Sequence, residues 1–131
     1  SEDFKINLSW DPLEVQPEIP TNFIFTIRDG RTNEPLRNSD YTFVLIQNGN
    51  EIYRTTGLAQ VGGEFEKFIF AEDQTGPTII KFENIRNTGQ ETEFSVVVVP
   101  EFGTITMLIL VVALIGVIGF SRKYDAFSTI K

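Results

Sequence analysis

Cysteine and histidine are both absent from this 131-residue chain, and its single methionine, Met107, falls in an uncharged stretch near the C-terminus. Without those side chains the usual ligands for zinc, copper and haem iron are missing, and so is the usual general base of a hydrolytic triad. Disulfides are excluded too, so an exported domain of this composition must hold together by its own core or through a partner. The chain also lacks a phosphate-binding glycine loop, a dinucleotide fingerprint and a G-x-S-x-G elbow. Ser9, Ser39 and Ser95 have no histidine or well-placed lysine near them in sequence. Carboxylate pairs are present, but among 17 acids before Phe102 some pairs fall at suitable distances by chance and carry no catalytic reading. No catalytic, cofactor-binding or metal-ligating residue is assigned, and the chain reads as a non-enzyme.

The strongest positive feature is also an absence, that of charge from Phe102 to Ser121. As a helix at about 1.5 Å per residue this run spans roughly 30 Å, the thickness of a bilayer's hydrocarbon core. A chain of this size has too little other mass to bury a helix that is apolar on every side. The C-terminal position excludes a cleaved secretory signal, and a lipid-anchor signal with a removable tail is the other reading of the position. The chain opens at Ser1 rather than at Met, which is compatible with an N-terminal signal already removed. Three segments are expected: residues 1–99 as an extracytoplasmic domain, 100–121 as a junction and transmembrane helix, and 122–131 as a cytoplasmic basic tail.

Basic residues flank the cytoplasmic ends of membrane helices. Arg122, Lys123 and Lys131 follow the run against one acid, Asp125, whereas Glu101 precedes it. A single pass through the cell membrane is expected, with the N-terminal domain outside the cytoplasm and the tail inside. Residues 1–101 contain 8 Lys and Arg against 17 Asp and Glu, a net of −9. So acidic a head argues against nucleic acid and against an anionic lipid surface as partners.

The head reads as short strands separated by turns. Phe4, Ile6, Leu8 and Trp10 alternate with Lys5, Asn7 and Ser9, the period of a half-buried strand. Asp11-Pro12 ends that run, and Pro17 and Pro20 are expected to keep the next segment extended and unpaired. Phe23, Phe25 and Ile27 alternate up to a turn at Asp29-Gly30, and residues 31–40 read as a loop. Residues 41–47 form the most apolar and central strand, and Asn48-Gly49-Asn50 signals a hairpin into residues 51–55. After Gly62-Gly63, Phe65, Phe68 and Phe70 are expected to face the core, with Glu64, Glu66 and Lys67 facing water. Residues 78–85 and 93–99 complete the set, the last with Phe94, Val96 and Val98 inward and Val97 and Val99 on the other face. About seven strands with turns every 8 to 12 residues, and no amphipathic helix, fit an antiparallel immunoglobulin-like β-sandwich.

Three further patterns bear on partners. Asn7-Leu8-Ser9 is an N-glycosylation acceptor on the exported side, with Asn7 expected to point outward. The acidic clusters Glu72-Asp73, Glu91/Glu93 and Glu2/Asp3 lack the spacing of a calcium loop and read as solvated surface. Within the uncharged run Thr106, Ala113, Gly116 and Gly119 form a loose line of small residues, the candidates for close contact with another membrane helix.

Pro100-Glu101-Phe102-Gly103, followed by the uncharged run and Arg122-Lys123, resembles the PEFG-CTERM sorting tail of exported proteins from ammonia-oxidising archaea. The resemblance covers about 25 residues and implies export, an archaeal membrane and recognition by an archaeosortase. The head looks like the β-sandwich units that such archaeal proteins often carry. Those tails usually stop soon after the basic residues, whereas this chain continues with Tyr124 to Lys131. The tail is therefore expected to be retained and packed against other integral membrane subunits. The resemblance makes archaeal copper-dependent ammonia monooxygenase the candidate complex, with this chain as a non-catalytic accessory subunit. The alternative is a singly anchored surface protein whose acidic sandwich binds cations, glycans or neighbours in a surface layer.

Overall fold

The computed structural model describes residues 3–100. The uncharged run, the small residues Thr106, Ala113, Gly116 and Gly119, and residues 122–131 lie outside the described residues. Seven strands occur in order: β1 Phe4–Asp11, β2 Thr21–Asp29, β3 Ser39–Gln47, β4 Asn50–Ala59, β5 Gly63–Phe68, β6 Gly76–Glu83 and β7 Thr92–Val98. All pair antiparallel, in a three-stranded sheet of order β1-β2-β5 and a four-stranded sheet of order β4-β3-β6-β7.

Alternation of apolar and polar residues places the core between the sheets. Phe23, Phe25 and Ile27 of β2 face Tyr41, Phe43 and Leu45 of β3 and Ile80 and Phe82 of β6, all buried. The rings interlock across the gap: Phe25 lies 4.7 Å from Phe82 and 5.0 Å from Tyr41 between centroids, and Phe23 lies 5.5 Å from Phe43. Tilted and edge-to-face aromatic contacts of this kind add to the burial of the rings themselves. The central β3 is apolar on both faces because Val44, on the outer side, is also buried. Its neighbours in register are Arg54 and Lys81, whose aliphatic stems are suited to covering it. The two-residue turn after Gln47 has positive φ at Asn48 and Gly49, as a type I′ hairpin requires.

Five expectations are corrected. Phe65 points to solvent and is 54% exposed, while Glu64, Glu66 and Phe68 take the inner side of β5. Phe65 and Phe68 are an odd number of residues apart and cannot share a strand face, and Phe70 fixes the parity by being fully buried just past β5. The proline segment 12–20 is not unpaired: Val15 is buried, bridges Val98 in parallel, and accepts the Val99 N–H at 2.8 Å. The loop after β2 ends two residues early, since Ser39 and Asp40 already pair with Ala59 and Leu58, and β4 runs to Ala59 rather than to residue 55. Ile85 belongs to a short 3₁₀ turn, Ile85–Asn87, and not to β6.

Candidate interaction surfaces

The strand directions give the head two unlike ends. β1, β3, β5 and β7 finish, and β2, β4 and β6 begin, at the end marked by Val98. Residues 12–20, 48–49, 69–75 and 99–100 form that end; they contain Glu14, Glu18, Glu72 and Asp73 and no Lys or Arg. The loops of the opposite end carry Arg31, Arg37 and Arg86. Here Asp29 organises the turn, accepting the backbone N–H groups of Arg31 at 2.8 Å and Thr32 at 3.0 Å. Those bonds, Thr32 first and then Arg31, hold its carboxyl below the usual carboxylate range. Arg86 reaches the Arg37 carbonyl at 3.2 Å and the Ser39 hydroxyl at 3.1 Å.

On the outer face of the four-stranded sheet the charges are internally paired. Arg54 donates to Glu51 at 2.9 Å and to Glu83 at 3.0 Å. The bond from Arg54 lowers the Glu51 carboxyl, and Arg54 is itself raised by Glu51 and then Glu83. Lys81 lies 3.4 Å from Glu83 and 3.9 Å from each of Glu91 and Glu93. The Glu91/Glu93 cluster therefore surrounds a base instead of converging on an open cation position. Glu72 and Asp73 lie exposed in the 69–75 segment, and Asp3 accepts from the Gln90 amide at 2.7 Å. Among the described residues no group of three or more Asp, Glu, His or Cys is placed to hold a metal ion.

The outer face of the three-stranded sheet is different. Ile24 and Phe65 are direct cross-strand partners, 46% and 54% exposed. With Asn22, Thr26, Gly63 and Lys67 they line an open groove of about 800 Å³. Asn7 stands on this same face, paired in register with Thr26. It is exposed, and its side-chain oxygen accepts from Arg28 at 2.6 Å. Sequence reasoning did not find the Ile24–Phe65 pair, because β5 has apolar residues at both parities and only Phe70 decides between them.

Of the other residues singled out from sequence, Ser9 and Ser95 are exposed on strands of different sheets, and Ser39 is buried with its hydroxyl donating to the Leu36 carbonyl at 3.2 Å. These three serines form no cluster. Pro100 is exposed just past β7, while Glu101, Phe102 and Gly103 lie outside the described residues. Among the described residues no helix is long and apolar enough to cross a membrane.

One polar contact crosses the core. The buried Tyr41 hydroxyl of β3 donates to the Glu66 carboxylate on the inner side of β5. Burial, and then the Glu66 bond, push the phenol well above its usual range. The contact joins the sheets.

These surfaces define a two-sheet antiparallel β-sandwich with one apolar groove, one base-free end and one ion-paired face. No family model matches the chain, and no curated protein matches it. Among solved structures it is similar to the CARDB domain of the PF1109 protein of Pyrococcus furiosus, described in complex with di-metal ions. The identity is 16%, over 74% of this chain and 88% of that one, with a TM-score of 0.45.

Proposed function

We propose that this protein is a non-catalytic, single-pass membrane protein serving as an accessory subunit of a larger membrane enzyme complex. The observation that carries the reading is the uncharged run Phe102–Ser121, closed by Arg122-Lys123 and set directly after a domain with its own core. The head then lies outside the cytoplasm and residues 122–131 inside. Thr106, Ala113, Gly116 and Gly119 are the proposed contacts with neighbouring membrane helices. The resemblance at Pro100–Gly103 points to archaeal copper-dependent ammonia monooxygenase as the candidate complex. With no histidine or cysteine to hold copper, this chain's part there is to brace other subunits.

One feature of the head supports a protein partner. The Ile24–Phe65 pair leaves an apolar groove uncovered on a sheet face, where a lone domain usually presents polar side chains. The order β1-β2-β5 against β4-β3-β6-β7 supports an immunoglobulin-like reading, in which the fourth strand has joined the sheet of the third, sixth and seventh. The second reading, a singly anchored surface protein, is favoured by the exposure of Asn7. The two exclude each other locally, since a glycan on Asn7 would stand on the face that carries the groove.

Protease protection in sealed vesicles from cells making the full chain tests the topology. External protease is expected to remove the head and leave an epitope after Lys131 protected, with the residual fragment resisting alkaline extraction. Release of the whole chain at alkaline pH, or both termini on one side, would sink the proposal.

A further inference from the structure

From the apolar side chains at the Val98 end, and resting on the membrane-spanning reading above, we infer that this end of the sandwich seats directly in the bilayer interface. Leu13 is 83% exposed, Ile69 is 51% exposed, and Ile19 is exposed as well. Two backbone bonds tie the segments that carry these side chains to each other and to the last residues of β7. Glu18 N–H donates to the Phe70 carbonyl at 2.8 Å, so Ile19 and Ile69 each follow or precede a bonded residue. Val99 N–H donates to Val15, which fixes the segment carrying Leu13 and Ile19 beside the last residues of β7. On its outer face β7 adds Val97, exposed one residue before the strand ends.

Chain length then identifies the occupant. Only Val99, Pro100 and Glu101 separate Val98 from Phe102, and four residue steps reach at most about 14 Å. A head on so short a tether keeps this end at the head-group layer. Large aliphatic side chains exposed there gain from burial at the acyl boundary, as on interfacial segments. The contact is apolar and not ionic, because this end has acids and no base, whereas attraction to anionic lipid needs Lys or Arg. The opposite end, with its three arginines, faces away.

The absence of cysteine makes the test direct. Single Leu13→Cys, Ile19→Cys and Ile69→Cys substitutions in the full chain, each at an exposed position, take an environment-sensitive fluorophore. Val61→Cys, exposed between β4 and β5 at the other end, is the control. In phosphatidylcholine vesicles the probes at 13, 19 and 69 are expected to emit to the blue of the probe at 61. A quencher carried on the lipid should reach them, and high salt should leave the effect in place. Probes at 19 and 69 as aqueous as that at 61, in protein that still resists alkaline extraction, would overturn the seating alone. Blue-shifted emission that lipid-borne quencher does not reach would mean that protein covers this end, and would overturn it too. Loss of the effect in high salt would mark an ionic association and would do the same. Chain that washes off the vesicles at alkaline pH would overturn the spanning reading and this inference with it.

Discussion

Tyr41 links three constraints. Its ring packs edge-on to Phe25, its hydroxyl meets Glu66 across the core, and its face covers its cross-strand partner Gly57. A Cβ at Gly57 would lie within 2.5 Å of the Tyr41 Cζ atom, so Gly57→Ala is expected to cost about 1–3 kcal/mol through forced repacking. Tyr41→Phe leaves the Glu66 carboxylate without this donor and should cost about 1–3 kcal/mol at neutral pH. Both are read as shifts of the urea midpoint. Because folding raises the phenol's pKa above its ordinary 10.0, the stabilisation is fully present below pH 10 and is lost as pH climbs toward the folded value. The gap between wild type and Tyr41→Phe should therefore narrow above pH 10. A gap that widens there would contradict the assignment. Asp29 behaves in the opposite sense. Folding lowers its pKa from 3.8, so its contribution is present above that value and disappears as pH falls through the folded one. Unfolding of Asp29→Asn and wild type should differ at pH 7, and the difference should shrink as pH falls below 3.8 through the folded value; a difference that grows in acid would refute this account of the turn.

Among the elements, β5 gives the sharpest test. Phe70→Ala, which empties a fully buried site just past the strand, should cost about 3–5 kcal/mol. Phe65→Ser, five residues earlier on the solvent side, should stay within about 0.5 kcal/mol in the isolated chain. Equal losses at the two positions would refute the observed parity of β5. The same strand shows where the sequence stopped being informative. β1 is apolar at one parity and polar at the other, and β2 and β6 depart from that pattern on the outer side at Ile24 and Ile79, so their inner faces were legible from alternation. In β5 both parities hold large apolar residues, and the choice is made by tertiary packing around Phe70 and by the Tyr41–Glu66 bond, neither of which is local. Segment 12–20 was opaque for a related reason. Its prolines signal a break in pairing, but the bridge of Val15 to Val98 joins residues 83 positions apart, which no local pattern encodes. The Ile24–Phe65 groove depends on the same register and was hidden with it, whereas the exposure of Asn7 followed directly from the alternation of β1.

Among the described residues of the whole molecule, charges and apolar side chains are distributed unequally between the two ends of the sandwich. Bases collect in the loops far from Val98, and the near loops combine acids with Leu13, Ile19 and Ile69. On the outer face of the four-stranded sheet both bases, Arg54 and Lys81, are ion-paired and acids remain in excess, whereas the Ile24–Phe65 face is apolar and the one suited to a protein neighbour. If that face is buried in a complex, Phe65→Lys should leave the chain folded and membrane-bound yet weaken its retention with partner subunits. Unchanged retention would remove this face from the interface. The accessory-subunit proposal is tested most directly by gentle solubilisation of the native membranes, followed by intact-mass measurement of this chain and of whatever co-purifies with it. The account predicts a chain that still carries residues 122–131, is bare at Asn7 and is held with other integral membrane subunits. A chain recovered alone, cut near Pro100–Gly103 or carrying a glycan on Asn7, would contradict it.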